Sequence, residues 1–162
     1  MKDIVWLSGT VVEQLLEERE KRFDLETGGL LLGYLVEENT ERNWVITAVS
    51  TPGPDADYAR HHYEPDYSYD KQVAVEHFRN TTKTEYYLGD WHTHPKGSTH
   101  ISWSDRSTLY RNAKRATATD QNSLMLIIGG ALANPEWAVY KGTWAMMPWS
   151  RRNVRADICF SD

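Results

Sequence analysis

The segment His92-Thr93-His94-Pro95 places two histidines at positions i and i+2. In a strand such side chains share a face, with Cα atoms roughly 6.6 Å apart. Two imidazoles on that footing can converge on one ion at about 2.0–2.1 Å. Ten residues past Pro95, Asp105 can add a carboxylate. Three ligands of this kind leave a tetrahedral Zn²⁺ with an open fourth position, the mark of a catalytic rather than a structural site. Cys159 is the single cysteine and lies far from the pair, so the donors are nitrogen and oxygen, which suits Zn²⁺ without excluding other divalent ions. Water acidified by such an ion, toward a pKa of about 7, still needs a base. Glu26, in Asp24-Leu25-Glu26-Thr27-Gly28-Gly29, precedes an apolar run and can reach the centre of a sheet, where the two glycines allow close backbone approach to a substrate. Ser102 lies three residues before Asp105, so both face the same side of a first helical turn. Its hydroxyl can donate to a developing oxyanion, and serine is also a preferred helix N-cap, so two demands fall on one group. Together these parts describe metal-assisted hydrolysis of an amide.

The elements that must position them read as one alternating α/β unit over residues 1–162. Ile4 to Leu7 is a first strand, and Ser8 or Thr10 can cap a helix carrying Val11, Val12, Leu15 and Leu16, ending near Arg22. Leu30 to Val36 and Trp44 to Val49 read as a strand pair joined by the polar Glu37–Asn43 connection. Thr51 to Pro65 is the longest loop, a candidate flap. A helix follows from about Asp66 to Arg79, with Val73, Ala74, His77 and Phe78 inward. Glu85 to Trp91 is the strand that delivers His92. The Lys96–Ile101 loop then leads to a helix near Ser104, and strands at Leu124–Ile128, Trp137–Tyr140 and between Thr143 and Phe160 complete a mixed sheet with helices on both faces.

His92-x-His94-Pro95, six residues, Ser102, two residues, Asp105 resembles the JAMM motif of the JAB/MPN metalloproteases at each position, and Glu26-Thr27-Gly28-Gly29 resembles that family's upstream glutamate and diglycine. The resemblance implies a single JAB/MPN metalloprotease domain, an α-β-α sandwich around a mixed β-sheet with a cytidine-deaminase-like fold. It further implies one Zn²⁺ held by His92, His94 and Asp105, Glu26 as general acid/base and Ser102 as transition-state stabiliser. The implied substrate is a bond after the C-terminal tail of ubiquitin or a ubiquitin-like protein. The approach Tyr87-Leu88-Gly89-Asp90-Trp91-His92 and the aromatic-rich C-terminal part are similar to bacterial JAB proteins of antiphage operons. There, in the CBASS group, the conjugated protein is a cyclic-nucleotide synthase; a related group accompanies bacterial ubiquitin-like conjugation operons.

Other classes fit less well. Net charge is 18 − 23 = −5, against the clustered basic surface that nucleic acid requires. No apolar run approaches the ~20 residues that span a bilayer, and the N-terminus lacks a signal pattern, so the expected location is the cytoplasm. A zinc deaminase needs His-x-Glu and Pro-Cys-x-x-Cys, which one cysteine cannot supply. A non-catalytic scaffold of the same fold would leave the five site positions without a purpose. His61, His62, His77 and His100 have no ligand spacing; the first two read as loop residues, His77 as a helix-face residue, and His100 as near enough to touch substrate.

Overall fold

Ser8 ends the first strand and starts the first helix. In the computed structural model, which describes residues 1–162, β1 (Lys2–Ser8) runs into α1 (Gly9–Lys21), and the Ser8 hydroxyl accepts the Val11 N–H at 3.3 Å as an N-cap. Then come β2 (Gly28–Glu38), β3 (Glu41–Val49), a short hairpin β4 (Asp57–Ala59) and β5 (His62–Glu64), and α2 (Tyr67–Asn80). β6 (Tyr86–Thr93), α3 (Trp103–Arg115), β7 (Asn122–Ala131), β8 (Asn134–Thr143) and β9 (Arg152–Ser161) complete the chain. None of the helices is long and apolar enough to cross a membrane.

The mixed α/β character expected from the sequence is present, but the sheet differs from the layer of a sandwich. The seven long strands, in the order β1-β3-β2-β6-β7-β8-β9, close into a barrel-like circuit. Closure comes from β9, which returns to run parallel to β1, pairing Ile4 with Asp157 through Ser8 with Ser161. β1 is thus parallel to both neighbours, and β6 to β7, while the other pairs are antiparallel.

Burial explains the arrangement. Val11 and Leu15 of α1 share one apolar core with residues of all seven strands, among them Leu31, Trp44, Leu126 and Val139. β7 is buried on both sides: Leu124, Leu126 and Ile128 face that core, while Met125 and Ile127 meet Leu109 of α3. This is why its sequence is a continuous apolar run rather than an alternating one. Three expectations are corrected. The Thr51–Pro65 segment contains the β4–β5 hairpin, β8 extends well beyond Trp137–Tyr140, and Phe78 is exposed because α2 turns Asp70 rather than that ring inward. Between Thr143 and Phe160 there is a 3₁₀ turn, Pro148–Ser150, and a single strand.

At the far end of α1, Arg19 is 3% exposed, and its guanidinium donates to the carbonyls of Gly129, Gly130, Ala131 and Leu132 at 2.9–3.2 Å. These carbonyls belong to the end of β7 and the turn into β8, so one cation ties the core helix to the hairpin. Charged donors are worth about 1.5–3 kcal/mol each when buried acceptors depend on them, and shared donors give less than the sum. Arg19→Met is expected to lower unfolding stability by about 3 kcal/mol in a urea titration, with the slope unchanged.

Candidate metal centre and cleft

The strand that carries the histidines is bent by one extra residue. Leu31 pairs with Gly89 and Leu32 with Tyr87, so Leu88 is a bulge in β6. Leu88 and Trp91 both enter the core as a result, while Tyr87, Asp90, His92 and His94 line a cleft on the other side. Gly89 follows the bulge where a Cβ would stand 2.1 Å from the Leu124 carbonyl oxygen, too close for any side chain. Trp91 fixes the strand from the core side by donating its indole N–H to the Ser50 carbonyl at 3.0 Å.

His92 and His94 turn their Nε2 atoms to within 3.0 Å of each other. Asp105, in the first turn of α3, brings Oδ1 to 3.4 Å from His92 Nε2 and Oδ2 to 3.5 Å from His94 Nε2. These are close to the edge lengths, about 3.3 Å, of a tetrahedron of donors around an ion at 2.0–2.1 Å. Two imidazole nitrogens facing each other share at most one proton between them, so a common cation satisfies both lone pairs better. His94 also presents Nδ1 to the Ser98 carbonyl at 2.8 Å, a contact that takes the ring proton and leaves Nε2 free as a ligand. The donor set therefore fits a divalent metal, and all three ligand atoms lie within 4.8 Å of one another. Burial works to raise the Asp105 carboxyl, yet hydrogen bonds from His92 and His94 hold it well below the usual carboxylate range.

Asp105 is itself held by a capping box. Its N–H donates to Ser102 Oγ at 3.0 Å, and its Oδ2 accepts the Ser102 N–H at 2.8 Å. Glu26 reaches the same cleft from the start of β2. Gly28 pairs with His92, and Thr27 exchanges bonds with Thr93, N–H to carbonyl at 2.9 Å and N–H to hydroxyl at 3.1 Å. The residue between the two histidines thereby anchors the residue after Glu26. On the other side the Glu26 N–H donates to the Ala59 carbonyl of β4 at 2.9 Å. Burial pushes the Glu26 carboxyl above its ordinary range, with His92 and His94 drawing it partly back.

The diglycine has a purpose other than the one expected. A Cβ on Gly28 would stand 2.4 Å from the Trp91 carbonyl oxygen and 2.8 Å from the Tyr63 ring, and one on Gly29 would stand 2.2 Å from the Ser50 carbonyl oxygen. The space is taken by the protein's own strands and hairpin, with Tyr63 donating its hydroxyl to the Gly28 carbonyl at 3.1 Å.

The structure thus brings Glu26, His92, His94, Ser102 and Asp105 to one cleft of about 840 Å³. His61 and His62 line it as well, whereas His100 does not; it faces Ser98, and His77 pairs with Glu85 at 2.7 Å. Sequence reasoning missed Asp90 and Asp70 on the cleft wall. Asp90 was within reach, since it lies two residues before His92 and strand alternation puts both on one face. Asp70, in a helix with no periodic signal for it, was not.

The profile of prokaryotic homologues of the JAB domain matches residues 9–144. The chain is 32% identical over 161 residues to the probable metalloprotease y4qB of Sinorhizobium fredii, covering 99% of this chain and 91% of that protein. It is 30% identical over 127 residues to a CD-NTase/cGAS isopeptidase of Vibrio cholerae, covering 78% of this chain and 76% of that one. The solution structure of protein DSY2949 from Desulfitobacterium hafniense has the same fold, with a TM-score of 0.65 at 19% identity over 98% of this chain and 93% of that one.

The capping box gives Ser102 a structural role that can be separated from the oxyanion role expected from the sequence. Ser102→Ala removes an N-cap acceptor, at a cost of about 1 kcal/mol. The backbone N–H that holds Asp105 is unaffected, so the metal content of the purified variant, read by elemental analysis, is expected to equal that of wild type.

Proposed function

The chain belongs to the family of prokaryotic JAB-domain homologues, and from that premise we propose that it is a zinc-dependent peptidase acting on isopeptide or peptide bonds of a conjugated protein. The observation that carries this reading is the convergence of His92, His94 and Asp105 donor atoms at 3.0–3.5 Å, in a cleft that also holds Glu26. His92, His94 and Asp105 would hold one Zn²⁺, which when bound supplies a Lewis acid and acidifies water.

The chain's own residues supply the rest. Glu26 accepts a proton from the attacking water and returns it to the departing amine. Its burial supports both steps, since a carboxylate raised above its ordinary range is a stronger base than an exposed one and holds the proton more readily for the departing amine. Ser102 turns its O–H toward the carbonyl oxygen as that oxygen gains charge; one such donor is worth about 3–4 kcal/mol. β5 forms one of the walls of the cleft. The S. fredii relative bears the name of a probable metalloprotease and the V. cholerae relative that of a CD-NTase/cGAS isopeptidase. By analogy the substrate we assign is a protein joined through its C-terminal tail, a cyclic-nucleotide synthase of an antiphage system or a ubiquitin-like protein.

The test is a pair of substitutions with different signatures. Asp105→Ala is expected to lose both metal and activity. Glu26→Gln is expected to keep its metal and lose at least about 10²-fold in turnover. Expressed in the host of origin, the Glu26→Gln protein should retain a covalent conjugate, with both halves identified by peptide mapping. Full turnover in the Glu26→Gln protein would remove Glu26 as the base, and recovery of unconjugated proteins alone would remove the conjugate as substrate.

A further inference from the structure

Large apolar side chains are exposed singly over most of the surface, which is ordinary, but one turn departs from this. Met146, Met147 and Trp149 are 84%, 49% and 81% exposed, and nowhere else do two large exposed apolar residues stand within two positions of each other. They lie between β8 and β9, around the 3₁₀ turn Pro148–Ser150, and none of them lines the cleft.

The turn is built to hold these side chains out. At its start the Trp144 N–H donates to the Gln121 carbonyl at 3.0 Å, and within it the Ser150 N–H donates to the Met147 carbonyl at 2.9 Å. Arg151 closes it: Nε donates to the Ala145 carbonyl at 3.1 Å, and the guanidinium stacks 3.7 Å from the centre of the Trp144 ring. Lys114, at the end of α3, brings Nζ to 4.9 Å from the same ring. Arg152 follows at the start of β9. None of these three cations has a carboxylate within 4.0 Å, and the chain carries no acidic residue from Trp137 to Ala156. In a protein of net charge −5, the turn is thus an apolar tip on a cationic collar.

We propose that this turn and its collar dock on an anionic lipid bilayer, with Met146, Met147 and Trp149 entering the boundary between headgroups and acyl chains and Lys114, Arg151 and Arg152 meeting lipid phosphates. A bilayer accounts for both halves of the surface at once, since hydrocarbon covers the tip and anionic headgroups face the collar. A side chain more than four-fifths exposed has no walls of its own protein around it. Hydrocarbon encloses such a group in any orientation, whereas a protein partner needs a matched pocket for each. Indole is also enriched at the boundary between water and lipid. An extended anionic surface attracts this face and repels the acidic remainder of the chain, which orients the whole molecule. Along α3, Lys114 lies nine residues, about 14 Å of helix axis, from Asp105. The docking surface is therefore separate from the candidate metal centre and stands without the peptidase reading.

The experiment is flotation of the full chain with vesicles of phosphatidylcholine alone or with about 30% phosphatidylglycerol, at about 0.1 M and about 0.5 M NaCl. The protein is expected to float with the anionic vesicles at the lower salt, to bind the neutral ones at least about tenfold more weakly, and to be released at the higher salt. Met146→Ser combined with Trp149→Ser should weaken binding to the anionic vesicles at least about tenfold. Lys114→Gln combined with Arg152→Gln should do the same with the apolar tip intact. All four side chains are exposed, so Tm should stay within about 2 °C of wild type in both double variants. The fluorescence difference between wild type and Trp149→Phe should shift to the blue on the anionic vesicles, as the indole leaves water. No flotation, equal binding to both vesicle types, or binding retained in full by either double variant would each overturn the proposal. So would a dimer in sedimentation velocity that the Met146→Ser, Trp149→Ser protein fails to form, since a second copy would then cover the turn.

Discussion

One extra residue in β6 decides what faces what. In a strand with strict alternation, Leu88 would share a side with Asp90 and His92, and Tyr87 would point into the core. The bulge at Leu88 reverses this for the first half of the strand. Leu88 joins Trp91 in the apolar core, and Tyr87 comes round to hold Asp90. A one-residue slip flips every side chain to the other face, so the alternative register would bury two histidines and an aspartate. That cost, several kcal/mol for unpaired polar groups, locks the register. The candidate metal ligands, the cleft wall and the pairing that carries Glu26 all inherit their direction from it.

The neighbours of β6 turn that direction into a site. β2 lies antiparallel on one side and β7 parallel on the other, so His92 is flanked by Gly28 and Ile127 rather than by solvent. Packing on β7 is apolar on both faces, which leaves β6 little freedom to shift. The first turn of α3 then brings Asp105 over the same spot, anchored from the core by Leu109 against Met125 and Ile127. The three candidate ligands are thus fixed by the core rather than by each other. A metal entering such a site finds a formed cradle, and its binding adds to a stability already set by the barrel and α1.

The convergence of these side chains was legible in the sequence because it is written in short-range terms. Two histidines at i and i+2, and a serine and aspartate at i and i+3, reach their geometry through one strand and one helical turn. The element types were legible for the same reason: Val11 with Leu15, and the run from Leu124 to Ile128, announce a helix face and a buried strand. What was hidden is long-range. The pairing of Ile4 with Asp157 that closes the sheet joins the two ends of the chain, and no local pattern encodes it. The β4–β5 hairpin, three residues per strand, lay below any periodic signal. The diglycine was visible, yet its function was misjudged, since the groups that crowd Gly28 and Gly29 come from Tyr63, Trp91 and Ser50, far along the chain.

Ser102 shows how geometry resolves a conflict that residue type leaves open. As a helix cap and as the proposed donor to a substrate oxyanion, the serine is asked for twice. A hydroxyl, however, has one donor and two acceptor lone pairs, and the two tasks draw on different parts of it. The cap uses a lone pair, which accepts the Asp105 N–H at 3.0 Å. The O–H hydrogen is left over, and Ser102 sits on the wall of the cleft. Asp105, held through the Ser102 backbone N–H, fixes the distance between that hydroxyl and the histidines. Capping is therefore what would aim the proposed donor: threonine keeps the same lone pair and O–H at this position but adds a methyl group to the cleft wall, and alanine keeps only the backbone half of the arrangement.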